Sequence, residues 1–248
     1  MKILYASRQF NRSGYEVLKY LINHSTFIPH SVLLPFINAN SKLDDEISSV
    51  EEIDKYLQET SYFDCKPLRF LESIKLLAKN AGINVIEIES IKNDNSYQLL
   101  KELDFDLMVI GGGWPERLPA RIIRLPSLGI INNHPSLLPQ FRGTDIHRWQ
   151  VLMNVKTSGV TIHYVDESLD TGDIIGQSCI QIDSHDSPQE LFMKVSAISG
   201  VLMHSIIKKI ENAEPKMLNA APQLDRMVKS KYFSAWKWDD KGLLCIDW

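Results

Sequence analysis

Cysteine is scarce in this chain: Cys65, Cys179 and Cys245 are the only three in 248 residues. They lie far apart, are odd in number and match neither a metal-ligand spacing nor a disulfide framework. Buried or half-buried thiols are the expectation for all three. Surplus positive charge is missing as well. Lys and Arg number 27 against 31 Asp and Glu, a net charge of −4, so nothing attracts nucleic acid in bulk. No run approaches the ~18 apolar residues of a membrane span, and MKILYASRQF lacks the layout of a cleavable signal. A cytoplasmic protein with no membrane partner is expected. Glycine is sparse where a nucleotide fold would need it: SRQFNRSG, after the first apolar run, holds one glycine and no GxGxxG. There is no HExxH, no tight His/Asp/Glu cluster, no internal repeat and no low-complexity segment.

What is present reads as alternating strand and helix. Residues 2–6 form a short buried strand, and 13–23 carry Val17, Leu18, Leu21 and Ile22 at helical spacing. A second strand is expected at 32–37. The charged stretch 44–60 looks like a solvated helix or an insertion. Residues 67–80 read as an amphipathic helix ending at Asn80-Ala81-Gly82. INVIEIES alternates as a strand, SYQLLKELD is a short helix, and DLMVIGGG is a buried strand opening into glycines. A helix at 145–154 and strands at 159–165 and 173–182 follow. Ser187-Pro188-Gln189-Glu190 is a capping box with proline at the first helical position. It launches a helix with Leu191, Val195, Ile198, Leu202, Ile206 and Ile210 on one face. The pattern predicts an α/β domain over 1–213, a mostly parallel twisted sheet with helices on both faces. Residues 214–248 form a short C-terminal extension rich in tryptophan, expected as a hairpin or a dimer contact.

Ligands of such sheets bind beyond the carboxyl ends of the strands. Two strand ends carry unusual residues: GGGW at 111–114 and INNHPSLLPQFRGTD at 131–145. Positions two apart on a strand point the same way, so Asn132 and His134 project together while Asn133 points away and is expected to be dispensable. Pro135 keeps His134 extended. An amide beside an imidazole suits a developing oxyanion; it equally suits a capped sheet edge. Asp170, in SLDTGD, sits in a turn from which a carboxylate could set the tautomer and charge of His134, although Asp and Gly also simply favour turns. The Asp170-Thr171-Gly172 triplet matches that of aspartic proteases, which need a second such aspartate that this chain lacks.

Taken together, NNHPSLLPQFRG and SGVTIHYVDESLDTGDIIGQ resemble the catalytic core of the folate-dependent formyltransferases. That family's pattern is Asn-x-His-Pro-Ser-Leu-Leu-Pro, a strand with a histidine, then Leu-Asp-x-Gly. The likeness spans roughly residues 105–185. It implies a Rossmann-like domain, 10-formyltetrahydrofolate as co-substrate and no metal. It places the family's catalytic residues on Asn132, His134 and Asp170, and the strand histidine on His163. The folate-binding positions fall on Gly113, Trp114, Glu116, Leu118, Asp166 and Asp173. The implied chemistry is attack of a neutral amine, an oxyanion held by Asn132 and protonated His134, and proton movement helped by Asp170.

Among acceptors, SRQFNRSG departs from the glycine- and asparagine-rich loop of the glycinamide ribonucleotide enzymes. The tRNA enzymes carry a further C-terminal barrel, which is not expected after residues 246–248. An amino-sugar nucleotide, as used for surface polysaccharide, is therefore the expected acceptor. His163, Arg142, Gly143, His147, Arg148 and Trp149 are its expected contacts, His147 and Arg148 by charge and Trp149 by stacking, although a core tryptophan facing the sheet fits Trp149 at least as well. A homodimer is expected.

Overall fold

The computed structural model describes residues 1–24, 26–35, 73–213 and 223, with the backbone of three short strands beyond. The charged stretch 44–60 and residues 67–72 of an expected helix lie outside the described residues.

Five strands are parallel neighbours: β1 (Ile3–Ser7), β2 (Ser31–Pro35), β3 (Asn84–Ile88), β4 (Leu107–Gly112) and β5 (Ile130–His134). Two longer strands, β7 (Thr157–Tyr164) and β8 (Ile174–Gln181), add to the edge beside β5, both antiparallel. The order across this seven-stranded sheet is β3-β2-β1-β4-β5-β7-β8. The chain returns from β3 to pair β4 beside β1, which reverses the direction of winding and opens a crevice at the strand ends there.

Alternate strand residues feed two cores, as the period of two requires. Ile3 and Tyr5, Val32 and Leu34, Leu107 and Val109, and Ile131 face one side. There they meet α1 (Arg12–His24), α2 (Ile74–Asn80) and α6 (Pro188–Asn212). Leu4 and Ala6, Leu33, Met108 and Ile110, and Ile130 face the other side. There they pack on α3 (Asp94–Glu102) and the single turn α4 (Ala120–Ile123). The expected helices on both faces are present. A one-turn helix is too short to show a period, so α4 had no signal in the sequence.

The capping box is formed: Ser187 accepts from the Glu190 N–H, and Glu190 accepts from the Ser187 N–H at 2.8 Å. The apolar stripe of α6 is wider than the spacing alone suggests. Met203 and Ile207 join Leu191, Val195, Ile206 and Ile210 in the core, and Ser196, Ser199 and Gly200 are buried too. A Cβ on Gly200 would stand 3.0 Å from the carbonyl of Glu16, so glycine is what lets α6 lie close on α1. The expectation of shielded cysteines fails at Cys179, which is exposed on β8. A sheet-edge strand with one solvated face explains it.

Beyond α6 the backbone adds two small ladders. β9 (Tyr232–Phe233) pairs in parallel with β6 (Arg142–Gly143), and β10 (Lys237–Trp238) pairs antiparallel with β11 (Leu244–Cys245).

Candidate active site

The site is assembled where β5 meets β7. Antiparallel pairing sets Asn132 opposite His163 and His134 opposite Thr161. Thus His163, 29 residues after His134 by number but adjacent in register, enters the same cluster as Asn132 and His134. The Nδ1–H of His163 donates to the Tyr164 carbonyl at 2.7 Å, which leaves Nε2 bare to accept from the Asn132 amide at 3.1 Å. Burial pulls the pKa of His163 down to about 4, against the opposing pull of the Asp170 charge. The ring is neutral at pH 7 and works as an acceptor. It fixes which way the Asn132 amide is turned.

His134, only 3% exposed, donates its Nε2–H to the Phe141 carbonyl at 2.8 Å. Its Nδ1 faces Asp170 Oδ1 at 3.6 Å, and the same oxygen lies 3.8 Å from His163 Nε2. The second carboxylate oxygen of Asp170 accepts from the Gly143 N–H at 2.9 Å. Asp170 therefore reaches both imidazoles from the loop between β7 and β8. Its backbone is left-handed, with φ 54°, as are Phe141 at 54° and Asp145 at 53°. Three non-glycine residues in that region, each at a cost of about 1–2 kcal/mol, gather around one cluster, which is where such strain is usually kept.

Asn133 does point away, toward α1, but it is not idle. It is 2% exposed and donates to Ser13 Oγ at 2.6 Å and to the Gly111 carbonyl at 2.9 Å. It ties β5 to β4 and to the first turn of α1. The expectation that it is dispensable fails, because the far side of a strand inside a two-faced sheet is core and not solvent. Asn133→Leu should destabilise the chain by about 2 kcal/mol, since it strands two buried acceptors. A urea midpoint unchanged from wild type would contradict this.

A cleft of about 500 Å³ contains the cluster. Of the expected binding residues, Gly113, Trp114, Glu116, Leu118, Asp166, His163, Gly143 and His147 line it. Four do not. Asp173 is exposed outside it, Trp149 is buried in the core, Arg148 lies away from the cleft, and the Arg142 guanidinium turns to Gln223 at 2.7 Å. The expected helix is present as α5 (Ile146–Leu152) and lines the cleft only at its first turn. Beyond it Trp149 and Gln150 are buried while Leu152 and Met153 are exposed, a division that sequence spacing could not show. His147 is half-buried against Phe192, ring centres 5.0 Å apart, and burial lowers its pKa to about 4. It is neutral at pH 7, so it meets no anion by charge.

Other expected roles change in kind. Both Glu116 oxygens are engaged by Ser90 Oγ at 2.6 Å and the Ile91 N–H at 2.8 Å, so this side chain braces the loop after β3. Asp166 accepts from Thr171 Oγ1 at 2.6 Å and the Ser168 N–H at 3.0 Å, shaping the Asp170 loop. Sequence reasoning missed Arg8, Asn11 and Ser13, which line the cleft from the end of β1. Their position after the first strand was the available signal. Asn11 also caps α1, accepting from the Gly14 N–H at 2.8 Å.

The cleft suits a planar, mostly apolar co-substrate. Its volume lies in the range of small-molecule sites. Ile110, Trp114, Leu118 and Val165 give it apolar walls, and the Trp114 Nε1–H is buried with no partner among the described residues. A ring heteroatom could take that donor. Among the described residues, no three His, Cys, Asp or Glu side chains are arranged to hold a metal ion.

Asn132, His134, His163 and Asp170 thus stand together at the carboxyl end of β5 in a doubly wound sheet, an arrangement that supplies hydrogen-bond donors and acid–base groups to one cleft. Residues 69–207, more than half of the chain, match the formyl transferase family, and the chain belongs to it. The methionyl-tRNA formyltransferase of Prochlorococcus marinus (strain MIT 9515) is 35% identical over 178 residues, 71% of this chain and 53% of that one. That of Caldanaerobacter subterraneus subsp. tengcongensis is 34% identical over 142 residues, 57% of this chain and 46% of that one. The chain spans about half the length of these curated relatives. The fold is shared with an N-formyltransferase from Helicobacter canadensis, in complex with folinic acid and dTDP-3-aminofucose. Its TM-score is 0.64 at 22% identity, covering 94% of this chain and 71% of that one. The phosphoribosylglycinamide formyltransferase from Anaplasma phagocytophilum gives 0.62 at 21% identity, covering 99% and 92%.

Neutral, buried His163 also makes a statement about acid stability. Its folded pKa of about 4 lies below its ordinary 6.5, so the unfolded chain binds the extra proton. Its contribution is whole above pH 6.5 and is lost as pH falls toward 4, on the order of 3 kcal/mol across that window. His163→Gln should flatten the fall in unfolding free energy between pH 6.5 and 4. An identical slope in the variant would contradict the assignment.

Proposed function

We propose that this chain transfers the formyl group of 10-formyltetrahydrofolate to the primary amine of a small acceptor, an amino-sugar nucleotide. The observation that carries the reading is the convergence of Asn132, His134, His163 and Asp170 in one cleft, with Asp170 Oδ1 within 3.6 and 3.8 Å of the two imidazoles. Family membership and the folinic acid held by the Helicobacter canadensis neighbour support folate as the donor.

The folate supplies an activated formyl carbon and a nitrogen that leaves once protonated. The protein supplies the rest. One Asn132 N–H is held by His163, which leaves its second N–H uncommitted among the described residues to meet charge developing on the formyl oxygen. Because Nε2 of His134 already carries its proton toward Phe141, a second proton enters at Nδ1, the nitrogen beside Asp170. Asp170 is in place to stabilise that imidazolium and to relay the proton shed by the attacking amine, directly or through water, to the leaving folate nitrogen.

The sugar-nucleotide acceptor is supported by the net charge of −4, which gives no bulk attraction for an RNA backbone, and by the dTDP-sugar in the structural neighbour. The sequence identity to methionyl-tRNA formyltransferases favours a second reading, charged initiator tRNA as acceptor. One screen separates them: amino-sugar nucleotides, glycinamide ribonucleotide and methionyl-tRNA, each with 10-formyltetrahydrofolate and read by mass gain of a formyl group. Formylation of methionyl-tRNA alone would overturn the acceptor. Formate release with no acceptor consumed would make the chain a hydrolase.

A further inference from the structure

Asp170 stands on an exposed turn, yet its carboxylate must be held against two buried imidazoles. Something has to fix both its backbone and its side chain. The backbone restraint comes from far along the chain. The side-chain amide of Gln223, beyond α6, donates to the Asp170 carbonyl at 3.0 Å and to the Gly172 carbonyl at 2.8 Å. One nitrogen thus brackets the turn on either side of Thr171. Its oxygen accepts from Arg142 Nε at 3.2 Å and Nη2 at 2.7 Å. Arg142 is buried and precedes Gly143, whose N–H holds the Asp170 carboxylate at 2.9 Å. The contacts close into a ring: Asp170 carboxylate, Gly143 backbone, Arg142 side chain, Gln223 amide, Asp170 carbonyl.

We infer that Gln223 is a positioning residue for Asp170, and that this one side chain from beyond α6 completes the active site. A glutamine is what the ring needs. It must donate twice and accept at once, and only a primary amide does both. The ring also explains how Asp170 is kept at φ 54° without glycine. A left-handed aspartate persists where its surroundings overdetermine it. Arg142, expected in the sequence to meet the acceptor, instead anchors the clamp.

This inference rests on the formyl-transfer reading for its kinetic test, so a second readout is independent of turnover. Wild type, Asp170→Asn, Gln223→Glu and Gln223→Met are compared as full chains. Gln223→Glu keeps the acceptor for Arg142 and loses both donors to the turn. It should lower kcat about tenfold or more while KM for 10-formyltetrahydrofolate stays within about twofold, because a carboxylate displaced by a fraction of an ångström harms the reacting geometry more than binding. The independent readout is the NMR titration of His163, which faces Asp170, Asp166 and His134. In Gln223→Met its midpoint should move in the same direction as in Asp170→Asn. If Gln223→Met does not fold, Gln223→Glu carries both readouts. Wild-type kcat in Gln223→Glu, or a His163 midpoint matching wild type, overturns the inference. Should wild type formylate no amine, the formyl-transfer reading fails on its own, and the His163 midpoint alone decides the clamp.

Discussion

Asp170→Asn should lower turnover by about 10³-fold or more while the folded structure survives. General acid–base assistance accounts for about 10²–10⁴-fold, and this substitution also removes the charge that supports a protonated His134. The fold is spared because the asparagine carbonyl oxygen can still accept from Gly143, which Asp170 now holds at 2.9 Å, and the Gln223 contact is to the backbone carbonyl at 3.0 Å. The new amide N–H would face Nδ1 of His134 and Nε2 of His163, at present 3.6 and 3.8 Å from the carboxylate. It would offer each a donor where each had a negative charge. The measurement is kcat beside the thermal midpoint. Turnover within tenfold of wild type would remove Asp170 from the chemistry, and loss of both quantities together would reassign it to the fold.

Asn132→Ala should cost about 10²–10³-fold in kcat, the usual loss on deleting one oxyanion donor. Its effect should fall equally on kcat and kcat/KM, because the contact is made as charge develops and not on ground-state binding. Asn132→Asp sharpens the test. It preserves size but replaces the N–H donor by a second carboxylate facing His163 Nε2, now 3.1 Å from the amide nitrogen. It should be at least as inactive as alanine. If Asn132→Ala raised KM at constant kcat, Asn132 would be a binding residue, and the electrostatic role assigned to it would fall.

The residues that gather in the cleft were legible as candidates because their signals are local. Asn132 and His134 are two apart on a strand, Pro135 holds the second extended, and Asp170 sits in a turn two residues before a glycine. The element types were legible for the same reason: short continuous apolar runs in β1 and β4, helical spacing in α1, and a capping box for α6. The binding shell was less so. Trp149 fitted a stacking platform and a core position alike and is core, and His147 looked like a cation and is a neutral ring against Phe192. A side chain's solvent exposure decides both questions, and exposure is a property of packing. Asn133 shows the same limit from the other side. Its alternation was foreseeable, but whether the far face holds water or the first turn of α1 was not.

By itself, then, the sequence determined the longer strands and helices and which polar groups stand at strand ends, since these follow from periodicity and side-chain chemistry over a few residues; one-turn α4 and two-residue β6 are too short to carry such a signal. The tertiary structure alone decided who meets whom. It reversed β7 against β5, so that His163 falls opposite Asn132. It brought Gln223 back from beyond α6 to the Asp170 turn, and it turned Arg142 from the cleft to the clamp. Register and long-range return of the chain depend on the summed burial of two whole faces of a sheet, and no short segment carries that sum.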